Sequence, residues 1–366
     1  MKKLLILFSV FLFSLCLYSQ TSDESEVYKQ LKDYVNKGNI KETENIIKKY
    51  NVDLNHYYDE NYTLLAYAVT NDNMEMTKLL LKYKADVNAP SYEGMSALIL
   101  SVIYHKNIEM VKLLLSYGAD INQKCDLEGN ALFYALDYYT KENIEMVKFL
   151  IANKADVNIL YHGFDGNEET PLMYAAMKGY KETVKILIAN KADVNKRNRN
   201  NANALLYAYM FGHKDIVDIL LQNGSDSLDK TLESCDLNQR TFLSMSIPLV
   251  TAIIHLDDDA FLQKLIDNGA DVNCRAFDDN TALMVAASVN DAGAVKVLLK
   301  NNADVNLKNR YGITALINAC MNGNLEIAKM LLDAGANKRI KSNEKKDALY
   351  YAKIKGKNRE LIRLLE

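Results

Sequence analysis

Side chains able to carry chemistry are few in this 366-residue chain, and they do not converge. The five histidines, His56, His105, His162, His213 and His255, would serve first as acids or bases near neutral pH. None has a Ser, Cys or carboxylate at a spacing that marks a nucleophile–base pair. Cys125, Cys235, Cys274 and Cys320 match no CxxC or Cys/His ligand pattern, so zinc is not expected. A glycine-rich phosphate loop is absent. Asp257-Asp258-Asp259 is not a metal loop on its own and reads as the acidic start of a helix, where negative charge meets exposed N–H groups. No cofactor is expected, and the chain reads as non-enzymatic.

The regularity of the sequence lies elsewhere. Ala85-Asp86-Val87-Asn88 returns at Ala119-Asp120-Ile121-Asn122, Ala155-Asp156-Val157-Asn158 and Ala192-Asp193-Val194-Asn195. It appears again at Ala270-Asp271-Val272-Asn273 and Ala303-Asp304-Val305-Asn306, with echoes at Ser225-Asp226 and Ala336-Asn337. The steps run from 33 to 37 residues, except for one of 45 between Asp226 and Asp271. Such a period marks a stack of similar units, none of which buries its apolar face alone. With 3 Pro and no Trp, the composition favours helices; a formal net charge of −3 gives no global attraction to nucleic acid or acidic lipid.

The clearest unit runs from Asp165 to Arg197. Thr170-Pro171-Leu172-Met173-Tyr174-Ala175-Ala176 opens a first helix, Gly179 breaks it, and Glu182 to Ile188 forms a second. This pattern resembles the ankyrin repeat, which implies a β-turn finger, two antiparallel helices and a loop to the next finger. The resemblance covers the chain from about Ser25 to its end. It implies an all-α ankyrin-repeat solenoid of about ten units including terminal caps, acting through protein binding. Units open at Thr63, Ser96, Asn130, Thr170, Asn203, Ile247, Thr281, Thr314 and Asp347. The expected organisation is a signal peptide over 1–19, a first stack over 25–228, an insertion over 229–246 and a second stack over 247–366, continuous with the first.

Two departures from the family pattern stand out. The His that usually follows Thr-Pro-Leu is replaced by Ala66, Ile99, Phe133, Met173, Leu206, Val250, Met284, Ile317 and Tyr350, so apolar packing is expected in its place. The Gly after the second helix survives as Gly118, Gly224, Gly269 and Gly335 but becomes Lys84, Lys154 and Lys191 elsewhere, where a positive φ would be strained.

Helical geometry turns the residue two after each opening Leu away from the partner helix. That slot holds Tyr67, Leu100, Tyr134, Tyr174 and Tyr207, joined on the same face by Tyr104, Tyr138, Met177, Met210 and Phe211. In the family this side lines a concave groove, so the stripe is expected to bind a partner. The alternative is that these rings pack sideways against neighbouring helices. Finger tips add Tyr58, Tyr92, Tyr161, Phe164, Phe277 and Tyr311. Residues 338–366 carry ten Lys or Arg against four acidic residues and read as a solvated cap.

Lys2-Lys3 followed by the apolar run Leu4 to Leu17 has the layout of a secretory signal. Export is therefore expected, to the periplasm or beyond, with Cys16 a candidate for acylation against the bulky Leu15 before it. In such a compartment Cys235 and Cys274, one repeat apart, are candidates for a disulfide. The expected partner is a protein, engaged by a monomer; nucleic acid is not expected, and membrane only through Cys16. Alternatives are a host-binding secreted factor, a small-molecule binder built on 229–246, and a lipid-anchored structural protein.

Overall fold

A computed structural model describes residues 26–58, 61–105, 107–136, 143–162, 168–238, 248–256, 258–355 and 358–366. The signal-like segment, Cys16, Tyr138, Phe164, Asp257 and residues 239–246 lie outside them. The chain forms two compact units, residues 1–159 and 160–366. That division falls between Ile159 and Leu160, away from the segment 229–246.

The described residues are helical apart from turns and isolated bridges. The first unit contains α1 (26–36), α2 (Ile40–Lys49), α3 (Leu64–Thr70), α4 (Met74–Lys82), α5 (Ala97–Tyr104), α6 (Ile108–Ser116), α7 (Ala131–Ala135) and α8 (Ile144–Ala152). The second opens with α9 (Pro171–Lys178), α10 (Lys181–Ala189), α11 (Ala204–Met210), α12 (Lys214–Gln222) and the short α13 (Leu228–Leu232). It continues with α14 (Pro248–His255), α15 (Asp259–Asp267), α16 (Ala282–Val289), α17 (Ala292–Lys300), α18 (Ala315–Asn322), α19 (Leu325–Asp333), α20 (Ala348–Lys355) and α21 (Arg359–Leu365).

Local chemistry sets where each helix starts. The first residue of each opening triplet is an N-cap: Thr63, Ser96, Asn130, Thr170, Asn203, Thr281 and Thr314 each accept the N–H three residues on. The second helix of each pair is capped by a different set, including Asn73, Asn107, Asn143, Asp291 and Asn324. Asp258 plays that role for α15, accepting from the Phe261 N–H at 2.9 Å. The first helices of neighbouring repeats then pack on one another, α3 on α5 and α5 on α7 in one unit, α14 on α16 and α16 on α18 in the other. Leu65, Leu98, Leu132, Leu172, Leu205, Leu283 and Leu316 are all buried.

The pairs ending with α4, α6, α8, α10, α12, α15, α17 and α19 each close at a residue with positive φ, whereas α2 closes at Tyr50 with φ −117°. Gly118, Gly224, Gly269 and Gly335 take values from 86 to 96°. A Cβ added at any of them would meet nothing within 4 Å, so backbone conformation and not space favours glycine there. Lys84, Lys154 and Lys191 occupy the same place at φ 69, 70 and 68°, confirming the strained conformation expected of them.

The recurring Asp and Asn are the joints between repeats. Asp86 Oδ1 accepts the Asn88 N–H at 2.9 Å, which shapes the turn and aims the Asn88 amide at the next repeat. Asn88 Oδ1 accepts the Asp120 N–H at 2.8 Å, and its Nδ2 donates to the Gly118 carbonyl at 3.1 Å. Asn122 does the same to Asp156 (2.7 Å) and Lys154 (3.2 Å). In the second unit Asn195 bonds Asp226 and Gly224, Asn273 bonds Asp304, and Asn306 bonds Asn337 and Gly335. The segment after α13 carries this joint too: Asn238 Oδ1 accepts the Asp271 N–H at 2.7 Å, and Nδ2 reaches the Gly269 carbonyl at 3.1 Å. Asp236-Leu237-Asn238 is thus a further copy of the phrase within the 45-residue step, and both α13 and α14 pack on α11.

Two outcomes follow for stability. Lys154→Gly is expected to raise the melting temperature, by relieving about 1 kcal/mol of backbone strain; an equal or lower value would reject that account. Asn88→Ala removes both joint bonds, so a loss of about 1–3 kcal/mol is expected in denaturant titration.

Candidate interaction surfaces

The tyrosines two residues after the opening Leu do not form an exposed stripe. Leu100, Tyr134, Tyr174, Met177, Tyr207 and Met210 are all buried, Tyr174 and Tyr207 to 2 % exposure. Their expected place on an open groove is therefore corrected. A helical wheel counts only the partner helix, whereas the stack adds a neighbouring first helix and a finger folded back over the ring. The finger contact comes nine residues earlier in the same repeat. Tyr134 Oη lies 3.2 Å from Cys125 Sγ, Tyr351 Oη lies 3.3 Å from Ser342 Oγ, and Tyr58 meets the Tyr67 ring edge-on at 6.4 Å. Tyr207 is held most firmly: Asn198 Nδ2 donates to its hydroxyl at 3.2 Å, and that hydroxyl donates to the buried Glu169 carboxylate at 2.9 Å.

One turn later the burial is mixed: Met177 and Met210 are interior, whereas Tyr104 at the end of α5 is 54 % exposed and Phe211 is half-buried; Tyr67, in the same early slot as Tyr134, is half-buried. Ile254, Val289 and Ile354 hold corresponding late positions on α14, α16 and α20 and are 52, 49 and 64 % exposed. Sequence reasoning missed these three, although they occupy the slots already marked by Met177, Tyr104 and Phe211. Among the finger residues Tyr92, Phe277 and Tyr311 are exposed and Tyr58 is half-buried. Tyr161, expected at a tip, is buried because its backbone pairs with Glu169 in both directions at 2.9 Å and draws it under the finger.

The first unit holds a distinct feature. An open cleft of about 450 Å³ is lined by Asn36, Tyr62, Tyr67, Thr70, Asn71 and Tyr104. Beside it the aromatic rings run in contact: Tyr28 stacks on His56 at 4.4 Å, His56 meets Tyr58 at 5.0 Å, Tyr62 meets Tyr67 at 5.2 Å and stacks on Tyr92 at 5.9 Å. Burial pushes the Tyr58 phenol above its ordinary range, so it stays protonated at any physiological pH.

No group of His, Cys, Asp or Glu that could hold a metal occurs among the described residues. His105 and His213 contact the carbonyls of Thr70 and Met177 in the preceding repeat, at 2.6 and 3.0 Å, and so serve as joints. Cys235 and Cys274 are not bridged to each other, and Cys274 Sγ points at the Asn238 carbonyl at 3.7 Å. Burial pushes the Cys235 and Cys320 thiols up to about 12, which leaves little thiolate at neutral pH. Alkylation at pH 8 under native conditions should therefore spare both. Tyr207→Phe should cost about 1–3 kcal/mol by stranding buried polar groups, while Tyr104→Ala should change stability by less than about 0.5 kcal/mol. Chemical denaturation of both variants checks the contrast between packed and exposed rings.

No helix among the described residues is long and apolar enough to cross a membrane. No curated protein matches the chain. The family described as ankyrin repeats (3 copies) matches residues 31–125, 132–231, 249–342 and 283–365, well over half of the length. Ankyrin repeats serve in general as protein–protein interaction modules and non-enzymatic scaffolds. With capped helix pairs, fingers and the asparagine joint recurring in both units, the chain belongs to the ankyrin-repeat family.

Proposed function

We propose that this protein is an exported, non-catalytic scaffold that binds a protein partner as a monomer. The observation that carries the reading is where large apolar side chains meet water in the second unit. Of the described ones there, Ile254, Val289, Tyr350 and Ile354 lie on first helices, Phe277 and Tyr311 on fingers, and Leu221 alone on a second helix. Such side chains on one kind of surface, held by a rigid stack, lose little entropy when a partner docks. Protein interfaces concentrate their energy in a few anchors of this type.

Export rests on the basic start and apolar run of residues 2–17. The partner is then an envelope or extracellular protein, which the scaffold holds in a fixed geometry.

The test is a pull-down from envelope and secreted fractions with residues 20–366 as bait, run beside Ile254→Glu/Val289→Glu/Phe277→Ala. A protein captured by the first and lost from the equally folded second supports the reading. Equal capture by both moves the site off this surface, and no capture by either rejects it. Fractionation of the tagged full chain checks export, which cytoplasmic retention would reject.

A further inference from the structure

Fingers at the end of the second unit are bonded tip to tip into a ridge. The Asp278 carbonyl accepts the Arg310 N–H at 3.1 Å, and the Tyr311 carbonyl accepts the Asn343 N–H at 2.9 Å. Asn343 Nδ2 also donates to the Arg310 carbonyl at 2.9 Å. Arg310 pairs with Asp278 at 2.6 Å and lies over the Tyr311 ring at 5.0 Å, which fixes that ring in an exposed position. The ridge is therefore in place before any partner arrives.

Charge on the ridge is one-sided. Lys338, Arg339, Lys341 and Lys345 are four like charges within eight residues, and the described residues give none of them an ion pair. The two carboxylates of that finger are already committed: Glu344 pairs with Lys346 at 3.1 Å, and Asp347 accepts the Tyr350 N–H at 3.0 Å. Asp279 is exposed beside Phe277, so the positive excess lies at the Tyr311 end. A solvated cap needs polarity of either sign, and the terminal helices supply it: Lys353 pairs with Glu366 and Lys329 with Glu360. Unpaired like charges on a rigid finger repel one another until a partner neutralises them.

We propose that the fingers carrying Tyr311 and Lys341 bind an acidic segment of the protein partner, Tyr311 acting as anchor and the four cations facing its carboxylates. This rests on the protein-binding reading and adds the partner's chemistry to it. An anchor rimmed by complementary charge is the usual arrangement of such an interface. An anionic bilayer fits less well. Glu344 and Glu366 are exposed among the cations, and α20 sets the exposed Lys353 beside Ile354, which leaves no unbroken apolar face to enter lipid. Nucleic acid would stack on open rings, and Arg310 already covers one face of Tyr311.

The experiment pans a random-peptide display library on residues 20–366 and measures synthetic copies of the selected peptides by fluorescence anisotropy. Selected peptides are expected to place Asp or Glu beside an apolar side chain and to lose affinity as salt rises. Lys341→Glu/Lys345→Glu should weaken them about tenfold. Lys341→Ala/Lys345→Ala, which adds no repulsion, should weaken them less, with the melting temperature unchanged in both. Tyr311→Ala should also weaken them while leaving the salt dependence intact. Peptides selected through Tyr311 without acidic bias, or binding indifferent to both lysine pairs, overturn this inference and leave the protein-binding reading standing. Selection of no peptide overturns it too, and the pull-down then decides separately whether the scaffold reading holds. Vesicles of phosphatidylglycerol and an oligothymidylate are run alongside. Binding of either that is lost in Lys341→Glu/Lys345→Glu, with no acidic peptide bound, assigns the patch to lipid or nucleic acid and overturns the proposal.

Discussion

The side-chain amide of one asparagine per repeat holds the stack in register. Asn88, Asn122, Asn195, Asn238 and Asn306 each span from their own turn to the next, taking a backbone N–H and giving to the carbonyl of the positive-φ residue that ends the next helix pair. The geometry needs both ends of an amide at once, which neither Asp nor Leu supplies. It also explains why the positive-φ residue is kept even where Lys fills it. At Lys154 the left-handed conformation goes with a carbonyl that accepts from Asn122 Nδ2 at 3.2 Å. Local strain is thus sustained by a bond between repeats, and the helix pairs follow from the register that bond sets.

That register in turn decides which side chains remain available to partners. Because first helices pack on one another and fingers fold over them, the early slots of α5, α7, α9 and α11 become interior. Tyr134 and Tyr207 serve as posts that hold fingers down, through Cys125 in one case and Asn198 with Glu169 in the other. The last turn of several first helices, the outer part of several fingers and the outward sides of the second helices stay open. Burial along one edge and exposure along the next are two results of the same stacking.

The two units put different chemistry on the surface left open. The second exposes aliphatic and aromatic anchors, Ile254, Val289 and Phe277 among them, suited to excluding water at a protein interface. The first gathers phenols and amides around a cleft without charge. One scaffold with unlike surfaces is what a solenoid permits, since each repeat is stabilised by its neighbours and its exposed residues are free to vary.

The period, the two helices per repeat and the strained lysines were all legible in the chain itself. Each depends on contacts within about one repeat, so spacing alone reports it: Lys154 must bend where a Gly stands in other repeats. The joint through Asn238 was equally present in Asp236-Leu237-Asn238, hidden by a Cys in place of the preceding Ala. The accessible surface could not be read that way. Tyr104 and Tyr174 are both aromatic residues on the same side of a first helix, yet one faces water and the other is interior. What separates them is the packing of a finger and an adjacent helix, contacts made only when repeats stack, and that the tertiary structure alone decided.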